Sequence, residues 1–363
     1  MNKNKVALFI NTLSGGGAEG VCVNLANGLA GRGMTVDLVV LNLKKDDYLK
    51  RITSDVNLVN LQVNHSRYAL WSIRRYIISN DIRIALSFNF EISVLLVLAR
   101  NIFKLNINII GRNIIAFSQR KKNSKGIWRK YFASKLIDVF FVKVDHVVNQ
   151  CRFMEKDLVA VYPVLKGRTS VIYNPAMLID KKIEGVGKEP YVLCVGRLEP
   201  QKAFDIAVKS FSVFYKKNPN YKLLIVGRGS LELSLKQLVQ SLGISNAVFF
   251  LGFKTELAEL YHGAKCTLLT SRFEGFPNVL LESIAMGTPV VSIDCPSGPN
   301  EIVINDVNGI LFKTYEPNEI AKHLTSVCNK SWDDRVVRES IDGFKLDNVL
   351  SQYQLLFNRM SNP

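Results

Sequence analysis

The six cysteines of this sequence have no C-x-x-C spacing among them. Cys22, Cys151, Cys194, Cys266, Cys295 and Cys328 stand singly, so neither a zinc knuckle nor a dithiol redox centre is indicated. Isolated thiols suit a reducing compartment. Long apolar runs are missing too. The longest, Ile92–Ala99, already contains Ser93, and it falls far short of the ~18 residues that a membrane-spanning helix needs. The basic start Met1–Lys5 leads into only five apolar residues, Val6–Ile10, which read as a β-strand and not as a secretory signal. At 48% apolar and 21% charged residues, wholesale disorder is excluded.

Acid is the residue class most unevenly absent. Residues 1–182 hold 28 Lys/Arg against 12 Asp/Glu, while residues 183–363 hold 19 of each, so the whole surplus of +16 lies in the first half. Between Glu91 and Asp138 there is no acid. That interval carries Arg100, Lys104, Arg112, Arg120, Lys121, Lys122, Lys125, Arg129, Lys130 and Lys135, with Phe117, Ile127, Trp128, Tyr131 and Phe132 interleaved. Such asymmetry implies an anionic partner. Nucleic acid, an anionic membrane and a phosphate-bearing substrate all meet that description. Cations mixed with bulky aromatics favour the membrane surface, and no nucleic-acid-binding signature accompanies them.

What is present is an alternation of strands and helices. Val6–Ile10 reads as a strand, followed by a glycine-rich loop and a helix with Val21, Leu25, Ala26 and Leu29 at helical spacing. Strands Thr35–Leu43, Val56–Leu61, Ile82–Phe88 and Ile107–Ile110 alternate with helices Trp71–Ser79 and Ile92–Ala99. A second series follows Tyr173-Asn174-Pro175. Its strands are Tyr191–Val195, Lys222–Val226, Val248–Leu251, Cys266–Thr270 and Pro289–Ile293, separated by helices. This predicts an α/β protein of two Rossmann-like domains with parallel sheets. We divide it into residues 1–180, residues 181–345 and a C-terminal helix, 346–363, that packs back on the first domain. Asp180–Lys188 is the expected linker.

The candidate site residues sit in loops after strands. Gly15-Gly16-Gly17 follows the first strand. It lacks the G-x-G-x-x-G spacing of a dinucleotide fingerprint, and reads either as a tight turn or as bare backbone open to a phosphate or sugar. Gly196-Arg197 and Lys202 follow Tyr191–Val195, the end of a strand where open α/β sheets bind ligands. An Arg fork and a Lys point charge there suit a diphosphate, although two such cations can equally be a solvated loop. Glu274 and Glu282 flank Gly275-Phe276-Pro277-Asn278, where Pro277 opens a helix whose N–H groups favour anions and hydroxyls. Ser297-Gly298-Pro299-Asn300-Glu301 is a further loop at a strand end.

These motifs together resemble the retaining family 4 of GT-B glycosyltransferases over nearly the whole chain, most closely from Tyr191 to Phe312. "VLCVGRLEPQKAFD", "LLIVGRGSL", "VFFLGF", "SRFEGFPNVLLESIAMGTPVVSID" and "VNGILF" occur in family order, and the Glu-x7-Glu pair Glu274/Glu282 is the most specific of them. "NTLSGGGAEGVCVNLANGLAGRG" resembles members that extend lipid-linked and surface polysaccharides in bacteria.

The resemblance implies two facing domains with a cleft between them. Arg197 and Lys202 would hold the donor diphosphate, Glu282 the ribose and Glu274 the transferred sugar. Backbone N–H groups of Phe276, Pro277 and Asn278 would touch sugar or phosphate, and Gly15, Gly16 and Gly17 would close over the diphosphate. Many relatives carry a histidine in the first domain. Here Asn89, Arg112 and Asn113 occupy the candidate stretches and are assigned to the acceptor side. Lys121, Lys122, Lys125, Arg129 and Lys130 are assigned to the membrane and a polyprenyl-linked acceptor.

The implied activity is transfer of a hexose or N-acetylhexosamine from a nucleotide sugar, UDP-linked in preference to GDP-linked, to a lipid-linked saccharide. The enzyme would work on the inner face of the cytoplasmic membrane, without metal or cofactor. A nucleotide-sugar epimerase of the same fold and a non-enzymatic nucleic-acid binder are the competing classes.

Overall fold

The computed structural model describes residues 5–14, 16–43, 48–63, 68–114, 116–118, 138–177 and 187–361. Two compact units emerge, one from residues 1–175 with 346–363 and one from residues 176–345. Each is a doubly wound α/β unit with a parallel sheet, as the alternation of elements predicts. The linker expected at Asp180–Lys188 overlaps residues 178–186, which lie outside the described residues.

In the first unit the strands are β1 (Lys5–Ile10), β2 (Thr35–Val40), β3 (Val56–Asn60), β4 (Ile84–Ser87), β5 (Asn108–Asn113), β6 (His146–Asn149) and β7 (Thr169–Val171). Their order in the sheet is β3-β2-β1-β4-β5-β6-β7. β1 is a continuous apolar run because both faces of the sheet are covered. Its alternate residues part to opposite sides. Ala7 and Phe9 join one core, with Val39, Ile73 and Ile109. Val6, Leu8 and Ile10 join the other, with Val40, Leu25 and Tyr353.

The helix Leu346–Ser361 belongs to this unit. It buries Val349, Leu350, Tyr353, Leu356 and Phe357 in the same core as the helix Gly17–Gly31. The two helices approach closely at Gly28, where a Cβ would lie 2.7 Å from Leu350 Cδ1. Arg32 pins the other end, bonding Asp347 at 2.7 Å and Gln354 at 3.0 Å.

Three elements of this unit escape the sequence reading: β6, the helix Arg152–Val161 and β7. Strands of four and three residues are too short to display a period. β5 also runs three residues beyond its expected end at Ile110 and carries Arg112 and Asn113 into the interior.

In the second unit β8 (Tyr191–Val195), β9 (Lys222–Val226), β10 (Val248–Gly252), β11 (Cys266–Leu269), β12 (Val290–Ile293) and β13 (Gly309–Phe312) lie in the order β10-β9-β8-β11-β12-β13. From β8 the chain winds outward through β9 and β10, then returns to β11 on the opposite side of β8. This reversal sets the ends of β8 and β11, and the loops that follow them, side by side.

Candidate functional site

The reversal brings together two sequence segments 72 residues apart. Lys202 Nζ lies 2.6 Å from Glu274 Oε1, with the side chains only 14% and 6% exposed. Lys202 ends a single 3-10 turn, Pro200–Lys202, after β8, and Glu274 lies in the loop after β11. The loops are stitched beneath the pair. Gln201 Nε2 donates to the Phe273 carbonyl at 2.9 Å, Arg272 N donates to the Gln201 carbonyl at 2.8 Å, and Thr270 Oγ1 donates to the Lys202 and Ala203 carbonyls at 3.2 and 3.0 Å.

Glycine makes the close packing possible. A Cβ on Gly196 would lie 3.2 Å from Lys202 Cε, and one on Gly227 would overlap the Gly196 carbonyl oxygen at 1.8 Å. Backbone therefore lies directly under the Lys202 stem, and the ammonium is fixed in place. Arg197 beside it is exposed and touches only Gln201, at 3.4 Å, among the hydrogen bonds described. The site thus has one largely buried cation tied to an acid and one exposed cation.

Glu282 lies in the helix Asn278–Ala285 and accepts a 2.7 Å hydrogen bond from Tyr261 Oη through its Oε2. Burial first, then the charge of Glu282 and this hydrogen bond, push the Tyr261 hydroxyl well above its ordinary range. It therefore stays a proton donor and fixes one carboxylate oxygen. Tyr261 was missed in the sequence, where it reads as one more apolar residue of a short helix. Changing Tyr261 to Phe is expected to raise the donor KM by roughly five- to tenfold with little change in kcat, the loss of one hydrogen bond to a charged group. Steady-state kinetics at saturating acceptor would check this.

The helix start is held by the loop after β12. Gly298, at φ +95°, presents no side chain where a Cβ would meet Phe276 Cδ2 at 2.8 Å and Pro277 Cδ at 2.9 Å. One expectation needs correcting here. Pro277 has no N–H to offer, and the Asn278 N–H donates to the Phe276 carbonyl at 3.0 Å. The three residues shape the loop but do not present three backbone donors.

In the first unit Gly15 lies outside the described residues. Gly16 caps the helix Gly17–Gly31, its carbonyl accepting from Gly20 N at 3.0 Å. The carboxylate of Glu19 already sits over it, 2.3 Å from where a Gly16 Cβ would be. Asn89 ties two strand ends, its Oδ1 accepting from Asn11 N at 3.2 Å.

Arg112 and Asn113, assigned from the sequence to the acceptor side, are buried. They are 1% and 0% exposed. Arg112 Nε donates to Tyr353 Oη at 3.0 Å, its Nη2 donates to Asn174 Oδ1, and its guanidinium lies 5.1 Å over the Phe88 ring. Asn113 Nδ2 donates to Asn149 Oδ1 at 2.9 Å. Both side chains hold the interior of this unit. Lys121, Lys122, Lys125, Arg129 and Lys130 lie outside the described residues.

The chain thus forms two α/β units with parallel sheets, the second carrying Lys202 and Glu274 in contact between the loops after β8 and β11. Residues 15–176 match the family described as Glycosyltransferase Family 4, and residues 178–340 match Glycosyl transferases group 1. An uncharacterised glycosyltransferase of Haemophilus influenzae is 27% identical over 334 residues, 90% of each chain. The GalNAc-alpha-(1->4)-GalNAc-alpha-(1->3)-diNAcBac-PP-undecaprenol alpha-1,4-N-acetyl-D-galactosaminyltransferase of Campylobacter jejuni is 25% identical over 355 residues, 94% of this chain and 92% of its own. Anabaena HepE, solved with UDP-glucose, superposes with a TM-score of 0.78 at 18% identity over 98% of this chain and 99% of its own. The chain belongs to the GT-B glycosyltransferases, joining a Glycosyltransferase Family 4 domain to a Glycosyl transferases group 1 domain.

Proposed function

We propose that this enzyme transfers a hexose or N-acetylhexosamine, with retention of configuration, from a UDP-sugar to a lipid-linked saccharide in bacterial surface polysaccharide synthesis. The observation that carries the donor side is the Lys202–Glu274 pair at the reversal of the second sheet, with Arg197 and Glu282 on the flanking segments. The UDP-glucose complex of HepE supports a UDP donor. The PP-undecaprenol-linked substrate named for the Campylobacter jejuni relative supports the acceptor class. We assign the enzyme to the inner face of the cytoplasmic membrane.

In the proposed reaction the bond between the anomeric carbon and the diphosphate oxygen breaks. An acceptor hydroxyl forms its bond on the same face, and its proton passes to the departing phosphate oxygen. Negative charge grows on the diphosphate, where Lys202 and Arg197 stabilise it. Glu274 holds Lys202 in position before the donor arrives and reaches the sugar hydroxyls once it binds. Glu282, oriented by Tyr261, accepts from the ribose hydroxyls. No protein nucleophile is required.

The two cations supply the charge stabilisation that a metal supplies elsewhere. Activity is accordingly expected to persist in excess EDTA. Full loss on chelation, restored by Mg²⁺ or Mn²⁺, would contradict this. The function itself is tested by radiolabelled transfer from a panel of UDP- and GDP-sugars into bacterial lipid extracts. A labelled, acid-labile lipid product from a UDP-sugar is expected. Turnover of the donor with no labelled lipid would overturn the proposal.

A further inference from the structure

The helix Ala69–Ser79 is apolar on both sides. Its inward face buries Ala69, Ile73, Tyr76 and Ile77. The outward face of such a helix is ordinarily polar. Here Tyr68, just before the helix, with Trp71 and Ile78 within it, spaced by three and seven residues, is 62%, 69% and 54% exposed respectively. The adjoining helix Phe90–Phe103 ends in Ile102, 59% exposed, and in Phe103, whose ring centroid lies 4.9 Å from that of Trp71. Arg74 lies across both rings, 5.2 Å from Phe103 and 5.9 Å from Trp71. Arg75 and Lys104 are exposed.

Charge selects among the partners such a face could take. The helix Ala69–Ser79 contains no acid. Asp81, just beyond it, is held by Arg83 at 2.8 Å. Glu91 begins the neighbouring helix, roughly 16 Å from Ile102 at 1.5 Å per residue. The face is therefore aromatic, aliphatic and purely cationic. Trp and Tyr settle at the boundary between lipid headgroups and acyl chains, and arginines at that depth meet lipid phosphates. Arg74, within cation–π distance of two rings, holds its charge at the level of the aromatics.

We propose that the face formed by Tyr68, Trp71, Arg74, Arg75, Ile78 and Ile102 seats the first unit on an anionic lipid leaflet. This rests on the lipid-linked acceptor proposed above, and it uses residues other than those of the basic stretch Arg120–Lys135. Trp71 and Arg75 are exposed and Arg74 is half-buried, so replacing them leaves the core intact.

The test is tryptophan quenching by vesicles of mixed phosphatidylcholine and phosphatidylglycerol with brominated acyl chains, using the full chain. Trp128→Phe removes the tryptophan of the basic stretch and leaves Trp332, in the second unit, as reference. Quenching is expected in Trp128→Phe and is expected to vanish in Trp71→Phe/Trp128→Phe. Arg74→Gln and Arg75→Gln should each weaken vesicle binding by about fivefold. If vesicles bind but Trp128→Phe is not quenched, this face is not the docking surface, and the proposal fails while the basic stretch survives as the alternative. If no vesicles bind, the face is a protein contact, and both membrane assignments fail. Activity on a water-soluble acceptor, unchanged in all variants, separates this result from failure of the transferase reading.

Discussion

Replacing Arg197 with alanine is expected to lower kcat by about 10²–10³-fold while leaving the melting temperature nearly unchanged. The rate loss follows from its proposed role, since removing one preorganised group that stabilises developing charge typically costs about 3–4 kcal/mol of activation free energy. The unchanged stability follows from its surroundings, because the side chain is exposed and, among the described hydrogen bonds, makes one to Gln201 at 3.4 Å. Lys202→Ala is expected to cost a similar factor in rate but to behave differently on heating. It strands Glu274, 5% exposed, without its partner at 2.6 Å. Breaking a buried pair from one side costs about 3–5 kcal/mol. Comparing Lys202→Ala with Lys202→Ala/Glu274→Gln separates the two effects. The double variant should recover much of the stability and none of the rate. Near-wild-type turnover in both Arg197→Ala and Lys202→Ala would defeat the assignment.

The second large effect lies far from the chemistry. Arg112→Ala is expected to destabilise the first unit by roughly 3–5 kcal/mol, because it removes partners from two buried groups, at about 1–3 kcal/mol each, and leaves a void. The groups left behind are the Tyr353 hydroxyl and the Asn174 amide. Arg112→Lys should rescue little, since a point charge cannot reproduce two bonds from a planar fork. Tyr353→Phe should cost about 1–2 kcal/mol, the single hydrogen bond to a charged group. Urea denaturation reports these changes. A nearly unchanged midpoint with a large rise in acceptor KM would restore Arg112 to the acceptor side.

The ease of reading differed between the two halves for physical reasons. Strands β8 and β9 were bounded to the residue in the sequence, because Tyr191–Val195 and Leu223–Val226, after Lys222, are unbroken apolar runs closed by glycine. The loops after β8 and β11 could be recognised as site candidates, but the sequence did not say that Lys202 and Glu274 touch. That contact depends on β11 lying beside β8, a long-range property of the sheet.

The burial of Arg112 was not legible for the opposite reason. In an interval with ten cations and no acid, each one reads as a surface charge. Its partner Tyr353 lies 241 positions away, on the last helix, where no local pattern signals it. Asn113 is hidden in the same way, because strand β5 extends past the last residue of its apolar run. Tyr261 gave no signal of its own. A tyrosine at an apolar position differs from a phenylalanine there only through the partner of its hydroxyl.

Calorimetric titration of the full chain with UDP tests the donor site most directly, free of any choice of sugar or acceptor. The account predicts saturable 1:1 binding that is weakened at least tenfold in Glu282→Gln and in Arg197→Ala/Lys202→Met, the last a substitution that keeps the length of the buried stem. It also predicts binding unchanged in Tyr353→Phe, whose hydroxyl serves the interior of the first unit. UDP binding that is absent from the wild type, or equal in the wild type and the Arg197/Lys202 and Glu282 variants, would contradict the placement of the donor in this site.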